Sequence, residues 1–348
     1  MNSFLKHNTK SLMLTKLSSI FIFFFIFTAI VSVSKADRVE VNGLYVNTFG
    51  NQTNQALLFI HGGPGYNSYD FEVTTAQKLS DHGFFVVVYD QRGQGRSSNA
   101  DVSAFTYKQY ADDIKSIIDQ LHLVRPILLG HSHGGPIAIK FESYYPNIVE
   151  KIILISAPIR FEINMRILLD HSSNFFLQKG DNQSFNMIAY ADFELFSDKS
   201  PDFDNLSWSV GYAFDRALNA GLYSPKVHTA NAVALFDILK SNPLKAISDQ
   251  KPLANPSVST RSFIKNENYF LLDQSDFVNM NRTHFCGIYG EEDGLFSPLE
   301  LRVINHLLQD PNEPNRFVIL SGASHAVYID QQQDFFNALK NTCGLNLN

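Results

Sequence analysis

Ser132 sits in Gly130-His131-Ser132-His133-Gly134, the G-x-S-x-G pattern of a nucleophile elbow. The flanking glycines fit a turn so tight that side chains two residues either side of the serine would strike neighbouring backbone. A serine hydroxyl needs a base to take its proton, and the base needs a carboxylate to orient it. Downstream come Asp293, in "GEEDGLFSP" (290–298), and then His325, in "GASHAVY" (322–328). Ser132, Asp293 and His325 therefore form a candidate triad, with Glu291 and Glu292 competing for the acid's place. The oxyanion formed on attack needs backbone donors. The N–H of His133, next after the nucleophile, is one candidate, and the N–H of Gly63 in "HGGPG" (61–65) is the other. Such residues transfer an acyl group to water through a covalent intermediate, a chemistry that asks for no metal or cofactor. His131 and His133 do not read as a metal pair, because residues two apart across a sharp turn diverge and no further ligand is near.

These residues follow a series of short apolar runs. "ALLFI" (56–60), "FFVVVY" (84–89), "PILLG" (126–130), "KIILIS" (151–156), "FCGIYG" (285–290) and "RFVILS" (316–321) read as buried strands. Between most of them lie amphipathic stretches of helical length, such as 106–123, with Tyr110, Ile114, Ile117, Ile118 and Leu121 on one face. Continuous apolar strands alternating with helices predict an α/β fold: a mostly parallel sheet with helices on both faces. "RVEVNGLYVNTFG" (38–50) alternates around Asn42-Gly43 and predicts a hairpin ahead of it. The serine, acid and histidine each fall just after a strand. "DQRGQGRS" (90–97) contains G-x-G-x-x-S, lacks the third glycine of a dinucleotide fingerprint, and reads as a structural loop in which Asp90 and Arg92 brace their neighbours.

The alternation breaks from Ile159 to Asn281, where helical patterns such as "TANAVALFDILKSN" (229–242) and a polar, proline-containing piece (248–260) replace strands. We read this as a helical cap, 159–281, inserted between two core segments, 37–158 and 282–348. Residues 1–36 have the shape of a secretory signal: three lysines, the apolar run "IFIFFFIFTAIVSV" (20–33), then small residues at 34 and 36. Cleavage near Ala36 predicts a secreted or periplasmic protein. The alternative is a membrane anchor over 17–34, close to the minimum length of a span. Removing residues 1–36 takes away four lysines and no acid, moving the formal charge from −6 to −10, which argues against a nucleic-acid partner. Cys286 and Cys343, the only two cysteines, either pair in an oxidising compartment or stay as separate buried thiols. Four N-x-[ST] sequons begin at Asn51, Asn182, Asn205 and Asn281.

Taken together, "HGGPG", "DQRGQGRS", "GHSHGG", "GEEDGLFSP" and "GASH" resemble the α/β-hydrolase superfamily. "HGGPG" with "DQRG" is similar in particular to the proline iminopeptidase group of serine aminopeptidases. The resemblance implies a helical cap between the sixth and seventh main strands and cap glutamates that bind the substrate's free amino terminus. "NENYF" (266–270) is similar to a segment near the end of that group's cap, which makes Glu267 a candidate amine-binding residue, with Asn266 at the acidic position if the register shifts by one. The group usually carries Trp after the nucleophile and often Gly-Gly before it. Here His133 and Gly130-His131 stand there, as in many esterases. The expected function is an exported aminopeptidase acting on short peptides or aminoacyl amides. A carboxylesterase or lactonase on small acyl substrates is the alternative, and a ligand-binding protein that keeps the fold without turnover is a third.

Overall fold

The computed structural model describes residues 37–348, apart from 98–99, 197–202, 246–261, 264, 268–271, 311–314 and 348. The signal-peptide reading and the polar piece at 248–260 lie outside the described residues. Asn42 and Gly43 both take positive φ, 50° and 79°, which joins β1 (Asp37–Val41) to β2 (Leu44–Phe49) as an antiparallel hairpin. The apolar runs become β3 (Ala56–Ile60), β4 (Phe85–Tyr89), β5 (Ile127–His131), β6 (Lys151–Ile155), β7 (Phe285–Gly290) and β8 (Phe317–Leu320). The eight strands form one sheet in the order β1-β2-β4-β3-β5-β6-β7-β8, with every pairing from β4 to β8 parallel.

Each central strand is apolar throughout because both faces are covered. Leu58, Val87, Leu128 and Ile152 pack on one side, and Leu57, Phe59, Val86 and Leu129 on the other. Helical pieces α1 (Tyr69–Phe71) and α2 (Gln77–Asp81), joined by a π-turn at Glu72–Ala76, follow β3. Helix α3 (Tyr107–Gln120) starts on Thr106, whose hydroxyl accepts from the N–H of Gln109 at 3.1 Å. Helix α4 (Gly134–Tyr144) leaves the serine turn.

After β6 the chain departs into α5 (Phe161–Lys179), α6 (Asn182–Phe196), α7 (Phe203–Asn219) and α8 (Ala230–Ser241). It returns through α9 (Ser275–Met280) to β7. Met165, Leu168, Ile188 and Ala213 from this insertion join the same apolar cluster as Leu128 and Ile152, so the inserted helices share the core of the sheet. Helices α10 (Pro298–Leu308), α11 (Val327–Asp330) and α12 (Gln332–Asn341) complete the chain.

Cys286, on β7, is bonded to Cys343 beyond α12, with their Cα atoms 5.6 Å apart. The open alternative of the sequence thus resolves as a disulfide. Closing a loop of 57 residues restricts the unfolded chain by about 4 kcal/mol in the chain-entropy account, and measured bridges give about 2–4 kcal/mol. Reduced protein is therefore expected to unfold at a clearly lower denaturant midpoint than oxidised protein. Equal midpoints, with two thiols titrating in denaturant before any reductant is added, would show that the bridge does not form.

Candidate active site

Between β4, β3 and β5 the strand order reverses direction, and the crevice at the carboxyl ends of such strands is where an open α/β sheet binds ligands. The loop after β3 carries "HGGPG", and the turn after β5 carries Ser132. Ser132 has φ of 51°, a left-handed conformation that an L-residue adopts only under constraint. The constraint is local: the Ser132 N–H donates to the Ile155 carbonyl at 3.0 Å, and the Ser132 carbonyl accepts from the N–H of Gly135 at 2.9 Å. The glycines are required by space. A Cβ on Gly130 would lie 2.8 Å from the Gly134 carbonyl oxygen, and one on Gly62 would lie 2.8 Å from Cβ of Ser132.

Ser132 and His325 line one cavity of about 610 Å³, together with Gly62, Gly63 and Asp70 from the core and Phe214 from α7. The His325 Nδ1–H donates to Asp293 Oδ2 at 2.8 Å, and Asp293 is 2% exposed. With Nδ1 committed as donor, Nε2 keeps its lone pair, as a general base requires. The other Asp293 oxygen accepts from the N–H of Leu295 at 3.0 Å. The competing acids are engaged elsewhere. Glu291 accepts from the Ser321 hydroxyl at 2.6 Å, and Glu292 from the N–H of Lys226 at 2.5 Å. The structure thus brings Ser132, Asp293, His325 and Gly63 to one place.

His133 is the residue that caps the start of α4, and its ring is buried against Tyr107 and Phe263. Burial lowers its pKa to about 3, so the imidazole is a neutral packing group.

Glu267 reaches the start of α3. Its carboxylate accepts from the backbone N–H of Tyr107 at 2.8 Å, the first residue of α3, where helix amide groups lack intrahelical partners and favour a negative charge. Asn266 beside it donates to the Phe105 carbonyl at 3.3 Å. Neither residue is among the groups lining the cavity. Glu267 thus ties its segment to the start of α3, and its binding of a substrate amine stays an expectation.

The loop "DQRGQGRS" braces the "HGGPG" loop, as its sequence suggested. Gln94 accepts from the N–H of Gly65 at 2.6 Å, and the Gln91 side chain donates to the His61 carbonyl at 2.6 Å. Burial opposes the charge of Asp90, but hydrogen bonds from Arg96 and its positive charge prevail and hold that carboxyl below its usual range. Arg96 also meets Glu72 at 2.8 Å, and Arg92 pairs with Asp113. His61 accepts at Nε2 from the N–H of Gln91 at 2.9 Å, and burial lowers its pKa to about 4.

Three contributors escaped the sequence reading. The ring of His131 packs on that of His325 with centroids 4.9 Å apart. Its Nε2 lies 3.0 Å from the His325 carbonyl oxygen, which can only accept, so that nitrogen carries the proton. Burial pushes its pKa well below the ordinary histidine value. Asp330 accepts from the N–H of Ser324 at 2.9 Å and fixes the histidine loop from below. Asp70 enters the cavity wall from α1. Only His131, beside Ser132, carried a signal of place; nothing local marks the two aspartates. A second cavity, of about 480 Å³, is lined by Lys78, His82, Thr229 and Gln332 and contains none of the triad.

A family model for the α/β-hydrolase fold matches residues 55–332, and the chain belongs to that family. Among its relatives is the proline iminopeptidase of Lactobacillus delbrueckii subsp. lactis, 37% identical over 117 residues, which make up 32% of this chain and 40% of that one. An sn-1-specific diacylglycerol lipase of Danio rerio is 30% identical over 132 residues, 35% of this chain and 41% of the lipase. The chain thus matches about two fifths of the length of these relatives. A proline iminopeptidase-related protein from Thermus thermophilus shares the fold over 89% of this chain and 98% of its own, with a TM-score of 0.61 at 23% identity.

Proposed function

We propose that this protein is a serine hydrolase working through an acyl-enzyme intermediate. The observation that carries the reading is the 2.8 Å bond from His325 Nδ1 to Asp293, made on the wall of the cavity that also holds Ser132. Ser132 Oγ attacks the substrate carbonyl while His325 Nε2 takes its proton, and Asp293 holds the ring in that tautomer and stabilises the imidazolium. The N–H groups of Gly63 and His133 receive the oxyanion. As the tetrahedral intermediate collapses, His325 returns the proton to the leaving group, and water then repeats the sequence to release the acid.

The leading substrate class is a short peptide or aminoacyl amide with a small or proline N-terminal residue, supported by the likeness to proline iminopeptidases. A carboxylesterase or lactonase is the second reading, favoured by the apolar side chains of Phe214, Leu218 and Leu295 on the cavity wall and by the commitment of Glu267 to α3. Export of the mature chain from about residue 37 is part of the proposal and is supported by the disulfide, a bond that persists in oxidising compartments.

Intact-mass analysis of the mature chain after a fluorophosphonate probe, followed by assay on aminoacyl arylamides and neutral acyl esters, tests the reading. A single adduct on the Ser132 peptide and faster turnover of free-amine arylamides are expected. No adduct and no turnover would leave a ligand-binding protein, and a preference for neutral esters would establish the esterase.

A further inference from the structure

Several buried carboxylates elsewhere in the core meet a guanidinium. Asp90 and Glu72 share Arg96, Asp113 pairs with Arg92, and Glu300 with Arg160. Asp70 differs. Its carboxyl accepts one hydrogen bond from the N–H of Phe71 at 2.8 Å and one from the Tyr328 hydroxyl at 2.9 Å. Both donors are neutral, and no lysine or arginine among the described residues pairs with it. It also lines the cavity that holds Ser132 and His325. Burial raises its pKa, against the hydrogen bonds from Tyr328 and Phe71, as expected of a carboxylate short of a counter-charge.

The position is built rather than incidental. Ser68, two residues before, is held through its N–H and hydroxyl by Asp90 at 2.9 and 2.7 Å. The Asp70 carbonyl accepts from the Thr74 hydroxyl at 2.6 Å. The other acid on the cavity wall, Asp215, is exposed and already accepts from Nε of Arg216 at 3.0 Å, which leaves it little to offer a second cation.

We propose that Asp70 determines specificity in this cavity by receiving a positively charged group of the substrate, the α-ammonium of an aminoacyl compound, beside Ser132. The inference rests on the serine-hydrolase reading and moves amine selection from the inserted helices to the core. A cation entering the cavity supplies the missing charge where water is partly excluded, and losing one partner of such a pair costs on the order of 30-fold or more in affinity.

Calorimetric titration at pH 7 with L-prolinamide and with N-acetyl-L-prolinamide, on the parent, Asp70→Asn and Asp215→Asn, tests it. Asparagine can still accept from Phe71 and donate to the Tyr328 oxygen, so the fold is expected to survive. The parent should bind prolinamide about 30-fold or more tighter than its blocked form, Asp70→Asn should reduce that preference to about threefold or less, and Asp215→Asn should retain it. The kcat/KM ratio of free-amine arylamide to neutral ester should shift in the same sense. A parent without the preference, a preference that survives Asp70→Asn, or one lost in Asp215→Asn overturns the proposal. Amine preference with no fluorophosphonate adduct would defeat the hydrolase reading and leave Asp70 as a cation-binding residue; an adduct without amine preference would do the reverse.

Discussion

Ser132→Ala is expected to abolish fluorophosphonate labelling and to lower kcat on the best substrate by on the order of 10⁵ to 10⁶, the loss seen when the nucleophile of a Ser-His-Asp unit is removed. Ser132 is the one serine among the described residues lining the cavity. The Ser324 hydroxyl, beside His325 in sequence, donates to the Glu292 carbonyl at 3.1 Å and is absent from the cavity wall. Stability should change by no more than about 0.5 kcal/mol, because the substitution removes one oxygen that faces the cavity and leaves the backbone bonds to Ile155 and Gly135 in place. Thermal unfolding beside active-site labelling separates the two effects. A variant that is fully labelled would require another nucleophile, and one that unfolds many degrees lower would mean that the hydroxyl has a structural partner.

Asp293→Asn is expected to lower kcat by about 10⁴, as the corresponding change does in the serine-protease template. The asparagine amide can donate to Nδ1 where the carboxylate accepted, which moves the imidazole proton to Nε2 and removes the lone pair that must face Ser132. The imidazolium formed during attack also loses its counter-charge. Glu292→Gln should cost tenfold or less, since that carboxylate receives the N–H of Lys226 at 2.5 Å and not the histidine. Steady-state rates of the two variants settle the assignment, and a larger loss in Glu292→Gln would transfer the acid's role to that residue.

The places of Ser132, Asp293 and His325 were legible because each stands shortly after a continuous apolar run, so that local pattern alone carried both the strand and the residue beyond its end. Asn42-Gly43 was legible for the same reason: the turn type is written in two adjacent residues. Glu267 was not. Its candidacy came from similarity of a short segment, whereas its actual partner, the amide of Tyr107, lies 160 residues away in sequence and is set by tertiary packing. Asp70 was silent because an aspartate after an "HGGPG" loop resembles any solvated loop acid, and only the approach of α11, with Tyr328, draws it into the cavity wall. The pairing of Cys286 with Cys343 depended on where the chain end returns against β7, which spacing cannot give.

Strands β6 and β7 are direct hydrogen-bonded neighbours, with Ile152 opposite Phe285 and Ile155 opposite Ile288. The long helical excursion between them is closed at its foot by an antiparallel bridge between Arg160 and Asp273, so it starts and finishes about 5 Å apart. Such a junction behaves like a socket that grips both ends of the excursion, while Met165, Leu168, Ile188 and Ala213 plug its contents into the core of the sheet. Ser132 lies before the socket and Asp293 and His325 after it, so all three stand at strand ends of the sheet and none on the inserted helices. The helices over the cavity set its walls, as Phe214 does, while the three positions stay anchored to the ends of β5, β7 and β8.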